Sequence, residues 1–166
     1  RPQYNLAIKY ARGQGVKQDQ KESAKWFRKA AERGYAEAQY GLGFGYKIGR
    51  GVTQDFKEVI KWWRKAGGQG YANAQYGLGV MYSGGEKGVK QDHEEAVKWY
   101  RKAAEQGHAA GQRNLGAMYA NGEGVKKDFK KAAQWHRKAA EQGQAFSQAQ
   151  LGVMYWNGKG VSKSPS

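Results

Sequence analysis

Residues 92–125 read DHEEAVKWYRKAAEQGHAAGQRNLGAMYANGEGV, and most of the remaining chain is this stretch again. Trp26, Trp62, Trp99 and Trp135 stand 36, 37 and 36 residues apart. Val16, Val52, Val89, Val125 and Val161 step by 36, 37, 36 and 36, and Leu6, Leu42, Leu78, Leu115 and Leu151 by 36, 36, 37 and 36. Together the ladders place one inserted residue between Leu78 and Val89. A fixed period of this length marks stacked supersecondary units. Such chains present an extended surface rather than a catalytic pocket.

Each unit divides into two helices. Working outward from the quoted stretch, Asp92 is set to cap a helix, because its carboxylate can accept from the unpaired amides of a first turn. Asp-x-x-Glu at Asp19–Glu22, Asp55–Glu58 and Asp92–Glu95 has the form of a capping box, and Asp128, followed by Lys131, keeps half of it. Gly34, Gly70, Gly107 and Gly143 stand where a left-handed residue closes the helix. Between cap and glycine, Ala96, Trp99, Tyr100, Ala103 and Ala104 fall at i, i+3, i+4, i+7 and i+8, one apolar stripe. The other copies of the stripe are Ser23/Trp26/Phe27, Val59/Trp62/Trp63 and Ala132/Trp135/His136 with the small residues that follow them.

The other helix carries Gly111, Leu115, Gly116 and Tyr119 on one face, repeated around Leu42, Leu78 and Leu151. Glycine inside a helix costs about 1 kcal/mol against alanine. Its recurrence after leucine predicts a neighbouring helix too close for a side chain. The chain opens with a short helix at residues 2–12. Four helix pairs and one closing helix make nine, with a frayed tail over 161–166. The repeats run over about 1–35, 36–71, 72–108 and 109–144, with a terminal half-repeat at 145–160, as a single solenoid over 1–160.

Composition narrows function further. Cysteine is absent, so disulfides and thiolate metal sites are excluded. Net charge is +15, from 29 Lys and Arg against 14 Asp and Glu, which invites acidic polymers. No apolar run reaches the roughly 18 residues of a spanning helix. Arg1 opens inside a repeat, so a preceding segment with any targeting signal is expected and the compartment cannot be read.

Helix pairs with A-x-A-Q-x-x-L-G-x-x-Y, then G-x-G-V, D and W-[YF]-x-K-A-A-E-x-G resemble the Sel1-like repeat family, a relative of the tetratricopeptide repeat. The pattern is carried by Ala36, Ala38, Gln39, Leu42, Gly43, Tyr46, Gly49, Gly51, Val52 and Asp55, and in the second helix by Trp99, Tyr100, Lys102, Ala103, Ala104, Glu105 and Gly107. The chain departs from it at Lys65-Ala66-Gly67-Gly68, where two glycines should weaken a helix by about 1–2 kcal/mol, and at His136, where an aromatic is usual. The resemblance implies an all-α, right-handed superhelical solenoid acting as a protein–protein scaffold. It implies a bacterial protein, periplasmic or secreted. A cysteine-rich subgroup of the family is associated with β-lactam binding; its disulfides have no counterpart here, and that activity is not carried over.

By analogy with tetratricopeptide solenoids, the Leu-Gly helices line a concave groove. Their outward residues form columns: Tyr4, Tyr40, Tyr76 and Arg113; Ile8, Phe44, Val80 and Val153; and, at the rim, Lys47 and Trp156. Large rings beside apolar rungs suit an extended or helical peptide. The same rings could instead pack on adjacent helices and complete the core. The Trp helices carry a basic track, Arg28, Arg64, Arg101 and Arg137, each followed by lysine. It is a candidate surface for nucleic acid, glycan or lipopolysaccharide. Against that stands local pairing at Arg28–Glu32, Arg101–Glu105 and Arg137–Glu141, each worth a few tenths of a kcal/mol.

Catalytic chemistry has no foothold. His93, His108 and His136 lie in different repeats without metal-ligand spacing, and the aspartates are absorbed by capping. No cofactor, metal or small-molecule substrate is expected, and a cell-wall hydrolase is the least favoured reading.

Overall fold

The computed structural model describes residues 1–161. Among them are nine α-helices and no strand: α1 Pro2–Arg12, α2 Gln20–Glu32, α3 Ala36–Ile48, α4 Phe56–Gly68, α5 Ala72–Gly84, α6 His93–Glu105, α7 Ala109–Asn121, α8 Phe129–Glu141 and α9 Ala145–Asn157. Of the expected tail only Val161 is described; the rest lies outside the described residues. The chain forms two compact units. The first is Arg1–Gly77 with Glu86–Val89, and the second is Leu78–Gly85 with the chain from Lys90 on. Within the first, α1 packs on α2, α2 on α3 and α3 on α4; within the second, α6 packs on α7, α7 on α8 and α8 on α9.

The aspartates cap as expected. Asp19 and Asp55 each accept from two first-turn amides, and Asp92 and Asp128 from the amides of Glu95 and Lys131. The reciprocal half of the box is replaced, however. The cap amides of Asp19, Asp55, Asp92 and Asp128 donate to the carbonyls of Tyr10, Tyr46, Tyr82 and Tyr119, at 2.9–3.2 Å. That bond ties the end of each Leu-Gly helix to the start of the next Trp helix. Released from the box, Glu58 and Glu95 accept from the indole N–H of Trp62 and Trp99 at 2.9 and 3.0 Å. Glu22, Glu58 and Glu95 also pair with Lys25, Lys61 and Lys98.

The glutamine of A-x-A-Q has an equally local purpose. Gln39, Gln75, Gln112 and Gln148 donate to the carbonyls of Ala31, Gly67, Ala104 and Ala140 at 2.8–3.2 Å. Each closes the carbonyl end of the preceding helix, where backbone acceptors would otherwise go unpaired. Helix α4 runs on to Gly68 despite its glycines, with Gly67 buried and held by Gln75.

The glycine after the repeat leucine admits a ring. A Cβ at Gly43 would lie 2.4 Å from the Trp63 ring, and one at Gly79 2.4 Å from Tyr100. The close neighbour is thus an aromatic side chain rather than a helix backbone. Trp63 is also flanked by Gly77, and its indole donates to the Tyr40 carbonyl at 3.1 Å. The second glycine of G-x-G serves a different approach. A Cβ at Gly51 would come within 1.9 Å of the Gln20 carbonyl oxygen, and one at Gly124 within 2.2 Å of that of His93. These are the first residues of α2 and α6, so each turn seats on the opening of a preceding Trp helix.

Candidate functional site

The outward face of α3 carries Tyr40, Phe44 and Lys47 at i, i+4 and i+7, with Ile48 beside them. Helical spacing alone puts them together. Phe44 and Ile48 are 43% and 42% exposed. Tyr40 is half-buried: its ring stacks on Trp63 with centroids 5.4 Å apart and lies 5.3 Å from Tyr71. Burial pushes its phenol pKa upward, so it remains a neutral hydrogen-bonding group. The Lys47 ammonium sits 5.7 Å from the Trp63 ring centre and 3.9 Å from Glu86.

On α1 the same register holds Tyr4 and Ile8, both half-buried. Tyr4 meets Phe27 and Tyr35 edge-on at 5.7 and 5.1 Å. Its phenol is likewise raised, chiefly by burial. The tyrosine column of this unit therefore belongs partly to the aromatic core, and Phe44 with Ile48 supplies the exposed apolar surface. Tyr76 is half-buried. Ile48 was missed in the sequence because it ends its helix; its signal was the i+4 step from Phe44.

In the second unit Val80 and Arg113 are half-buried, and Arg113 Nε donates to Asn114 Oδ1 at 3.2 Å. Trp156, on the last described helix, is 84% exposed.

The basic track is organised differently from its expected local pairing. The guanidiniums of Arg28, Arg101 and Arg137 donate to the hydroxyls of Tyr46, Tyr119 and Tyr155, each 18 residues on, the second at 2.9 Å and the third at 2.5 Å. Arg64 is exposed. The neighbouring lysines lie over indole rings three residues back: Lys29 on Trp26, Lys65 on Trp62, Lys102 on Trp99 and Lys138 on Trp135, at 4.2–4.7 Å. These partners are neutral and do not themselves cancel the positive charge. In the second unit Arg101, Arg137, Lys131 and Lys138 border an open cleft of about 650 Å³, which Glu105 and Glu141 also line.

Two of the three histidines have structural partners. His108 caps α7, accepting from the Gly111 amide at 3.1 Å, and His136 is buried against Ser147 Oγ at 3.2 Å. Burial lowers the pKa of both. His93 Nδ1 is buried without a hydrogen-bond partner. Among the described residues no group of His, Asp and Glu is arranged to hold a metal ion, and no helix is long and apolar enough to cross a membrane.

Helix hairpins repeated in one register, joined by the same Asp–Tyr, Gln–carbonyl and Arg–tyrosine contacts, define an all-α repeat protein of the solenoid class. The Sel1 repeat profile matches residues 3–35, 36–71, 72–108, 109–144 and 145–166. The chain belongs to the Sel1 repeat family. It is similar to a protective antigen of uropathogenic Escherichia coli displaying an SLR fold, at 46% identity and a TM-score of 0.91, covering 97% of this chain and 34% of that one. It is also similar to a Sel1 repeat protein from Oxalobacter formigenes, at 41% identity and a TM-score of 0.84, covering 98% of this chain and 66% of that one. Helicobacter pylori cysteine rich protein B is more distant, at 26% identity and a TM-score of 0.63, covering 84% of this chain and 99% of that one. The chain thus spans about a third of the E. coli antigen and just under two thirds of the Oxalobacter protein. Among curated proteins none matches. Sel1 repeat proteins act in general as protein-interaction scaffolds.

Proposed function

We propose that this chain is a non-catalytic scaffold that holds a peptide or protein partner against the outward faces of its Leu-Gly helices. The observation that carries the reading is the α3 face. Phe44 and Ile48 stand exposed together, flanked by the half-buried Tyr40 and by Lys47. Aromatic anchors with a charged group at their edge are what protein interfaces concentrate. Tyr4 and Ile8 continue this chemistry on α1, and Tyr76 on α5. In the second unit Val80, Arg113 and Trp156 are the corresponding contacts. The test begins with affinity capture by the full chain, identification of the captured protein, and calorimetry with that protein purified. Phe44→Asp should weaken binding at least tenfold with little change in helical content, and Arg101→Glu should leave it unaltered. Equal affinity for the Phe44→Asp variant overturns the assignment.

A second reading, binding of an anionic polymer along Arg28, Arg64, Arg101 and Arg137, draws on the neutral partners of Arg28, Arg101 and Arg137 and of the lysines beside the arginines. Charge left uncompensated by acids remains available to phosphates or sulfates. On heparin this predicts retention that declines steeply as salt rises. Retention should be lost in an Arg101→Glu, Arg137→Glu double variant; elution unchanged by the reversal removes this reading.

A further inference from the structure

Between α2 and α3 lies a cavity of about 160 Å³. Its walls include Ala24 and Phe27 of α2, Leu42 and Gly45 of α3, and Ala11 at the end of α1. Phe44 also lines it and is 43% exposed, so the cavity reaches the surface beside the apolar face of α3.

Its origin lies in the register of the repeats. Three residues after the repeat leucine, α5, α7 and α9 place Met81, Met118 and Met154, all buried. Helix α3 places Gly45 there. On α2 the lining residues Ser23 and Ala24 stand where α4 has Val59 and Ile60. The α2/α3 hairpin thus omits a methionine side chain that its sister helices supply. Among the lining residues only Phe44, where they have Val80, Ala117 and Val153, is enlarged, and it is 43% exposed rather than packed into the space.

Arg50 stands exposed at the rim of the wall, and the other two polar residues that line it have partners inside the protein. Ser23 Oγ donates to the Ala7 carbonyl at 2.9 Å and Gln20 Nε2 to the Ala11 carbonyl at 3.1 Å. A water molecule needs two to four polar partners, which the Ala24, Phe27 and Leu42 side of the wall lacks, and enclosed apolar cavities of about 150 Å³ take up benzene or xenon.

We propose that this cavity is a socket for one apolar side chain, of methionine or leucine size, presented by a polypeptide lying on the α3 face. The buried methionines of the sister helices show which group this register receives. The exposed Phe44 and Ile48 beside the opening favour a polypeptide over a free small molecule, because a chain entering the socket would also cover them. This assignment rests on the scaffold reading above and adds the partner's anchor.

The experiment uses the full chain with Gly45→Met, which supplies the missing group internally, and Gly45→Ala as the folding control. A Cβ at Gly45 meets the Arg50 carbonyl oxygen at 3.3 Å, a tight contact that the turn must relieve by a few tenths of an ångström, and Val52 at 3.9 Å; Gly45→Ala isolates that cost from the filling of the cavity. Benzene should raise the melting temperature of the native and Gly45→Ala chains but not of Gly45→Met. Phage-displayed random dodecapeptides selected on the native chain should share one Met, Leu, Ile or Phe position. Replacing that residue by alanine, or using Gly45→Met, should weaken binding about ten- to hundredfold, the value of one fully buried apolar side chain. Peptides that bind native and Gly45→Met chains alike overturn the socket and leave the scaffold intact. Benzene uptake without any selected peptide overturns the scaffold reading and the polypeptide occupant together. No stabilisation by benzene overturns the socket itself.

Discussion

The hairpin α2/α3 of the first unit and the hairpin α6/α7 of the second have the same frame and different fillings. Both close the first helix with glutamine, Gln39 on Ala31 and Gln112 on Ala104. Both set an arginine on a tyrosine hydroxyl, Arg28 on Tyr46 and Arg101 on Tyr119. Both lay a lysine over the repeat tryptophan. Yet α7 buries Met118 where α3 has Gly45, and α6 has Ala96 and Val97 where α2 has Ser23 and Ala24. Backbone contacts and caps hold the frame and tolerate exchange of the filling. Recognition can therefore vary between repeats without altering the hairpin.

The largest test of that contrast strikes the frame. Gly51→Ala and Gly124→Ala each force a side chain into a left-handed backbone and onto a carbonyl of the preceding Trp helix. Each should cost about 3–5 kcal/mol in urea denaturation, the sum of conformational strain and overpacking. Gly88→Ala has the same sign of φ but open space around it, and should cost only about 1–2 kcal/mol. Equal costs at Gly51 and Gly88 would remove the interlock from the account.

Next comes the filling. Met118→Gly should cost about 3–5 kcal/mol, from a buried methionine and a helical glycine together. Gly45→Met should instead stabilise by about 1–2 kcal/mol. Urea midpoints moving in opposite directions confirm that the two hairpins differ by one occupied space; a destabilised Gly45→Met chain would show that the cavity cannot receive the group.

A smaller contrast lies at the ring seats. Gly43→Ala places a Cβ 2.4 Å from the buried Trp63 ring and should cost about 2–3 kcal/mol. Gly116→Ala meets the His136 ring at 3.1 Å, so its strain offsets the gain in helix propensity and the change should stay within about 1 kcal/mol. Calorimetric melting of the two variants decides it.

The smallest effect is acid sensitivity confined to the second unit. Burial depresses the pKa of His136 and His108 below the ordinary value of about 6.5. The unfolded chain then binds more protons than the folded one. Stability from these groups is complete above that ordinary value and is lost as pH falls from it toward the folded value. Hydrogen exchange between pH 7 and 5 should loosen the second unit before the first. His136→Phe, which installs the ring type found at Phe27, should reduce the difference; the same acid response in that variant would exclude His136 as its source.

Much of the frame was legible in one dimension. Repeat spacing located the helices, Asp19, Asp55, Asp92 and Asp128 announced their caps, and Gly43 foretold a close approach. The rest was hidden where a residue has two local partners available. Glu58 and Glu95 have the spacing of a capping box but serve tryptophans, because tyrosine carbonyls of the preceding helix take the cap amides first. Arg28, Arg101 and Arg137 have glutamates four residues on, yet reach tyrosines 18 residues away. Tyr4 and Tyr40 are outward by register but lean on Phe27 and Trp63.

The sequence by itself determined the family, the helices and their ends, because period, cap chemistry and glycine placement act within a few residues along the chain. Only the tertiary structure decided that Phe44 and Ile48 are the exposed pair on α3, and that Gly45 opens a cavity its sister helices fill with methionine. Exposure and empty volume depend on the sizes of residues that several helices bring to one place. No stretch of a single helix carries that information.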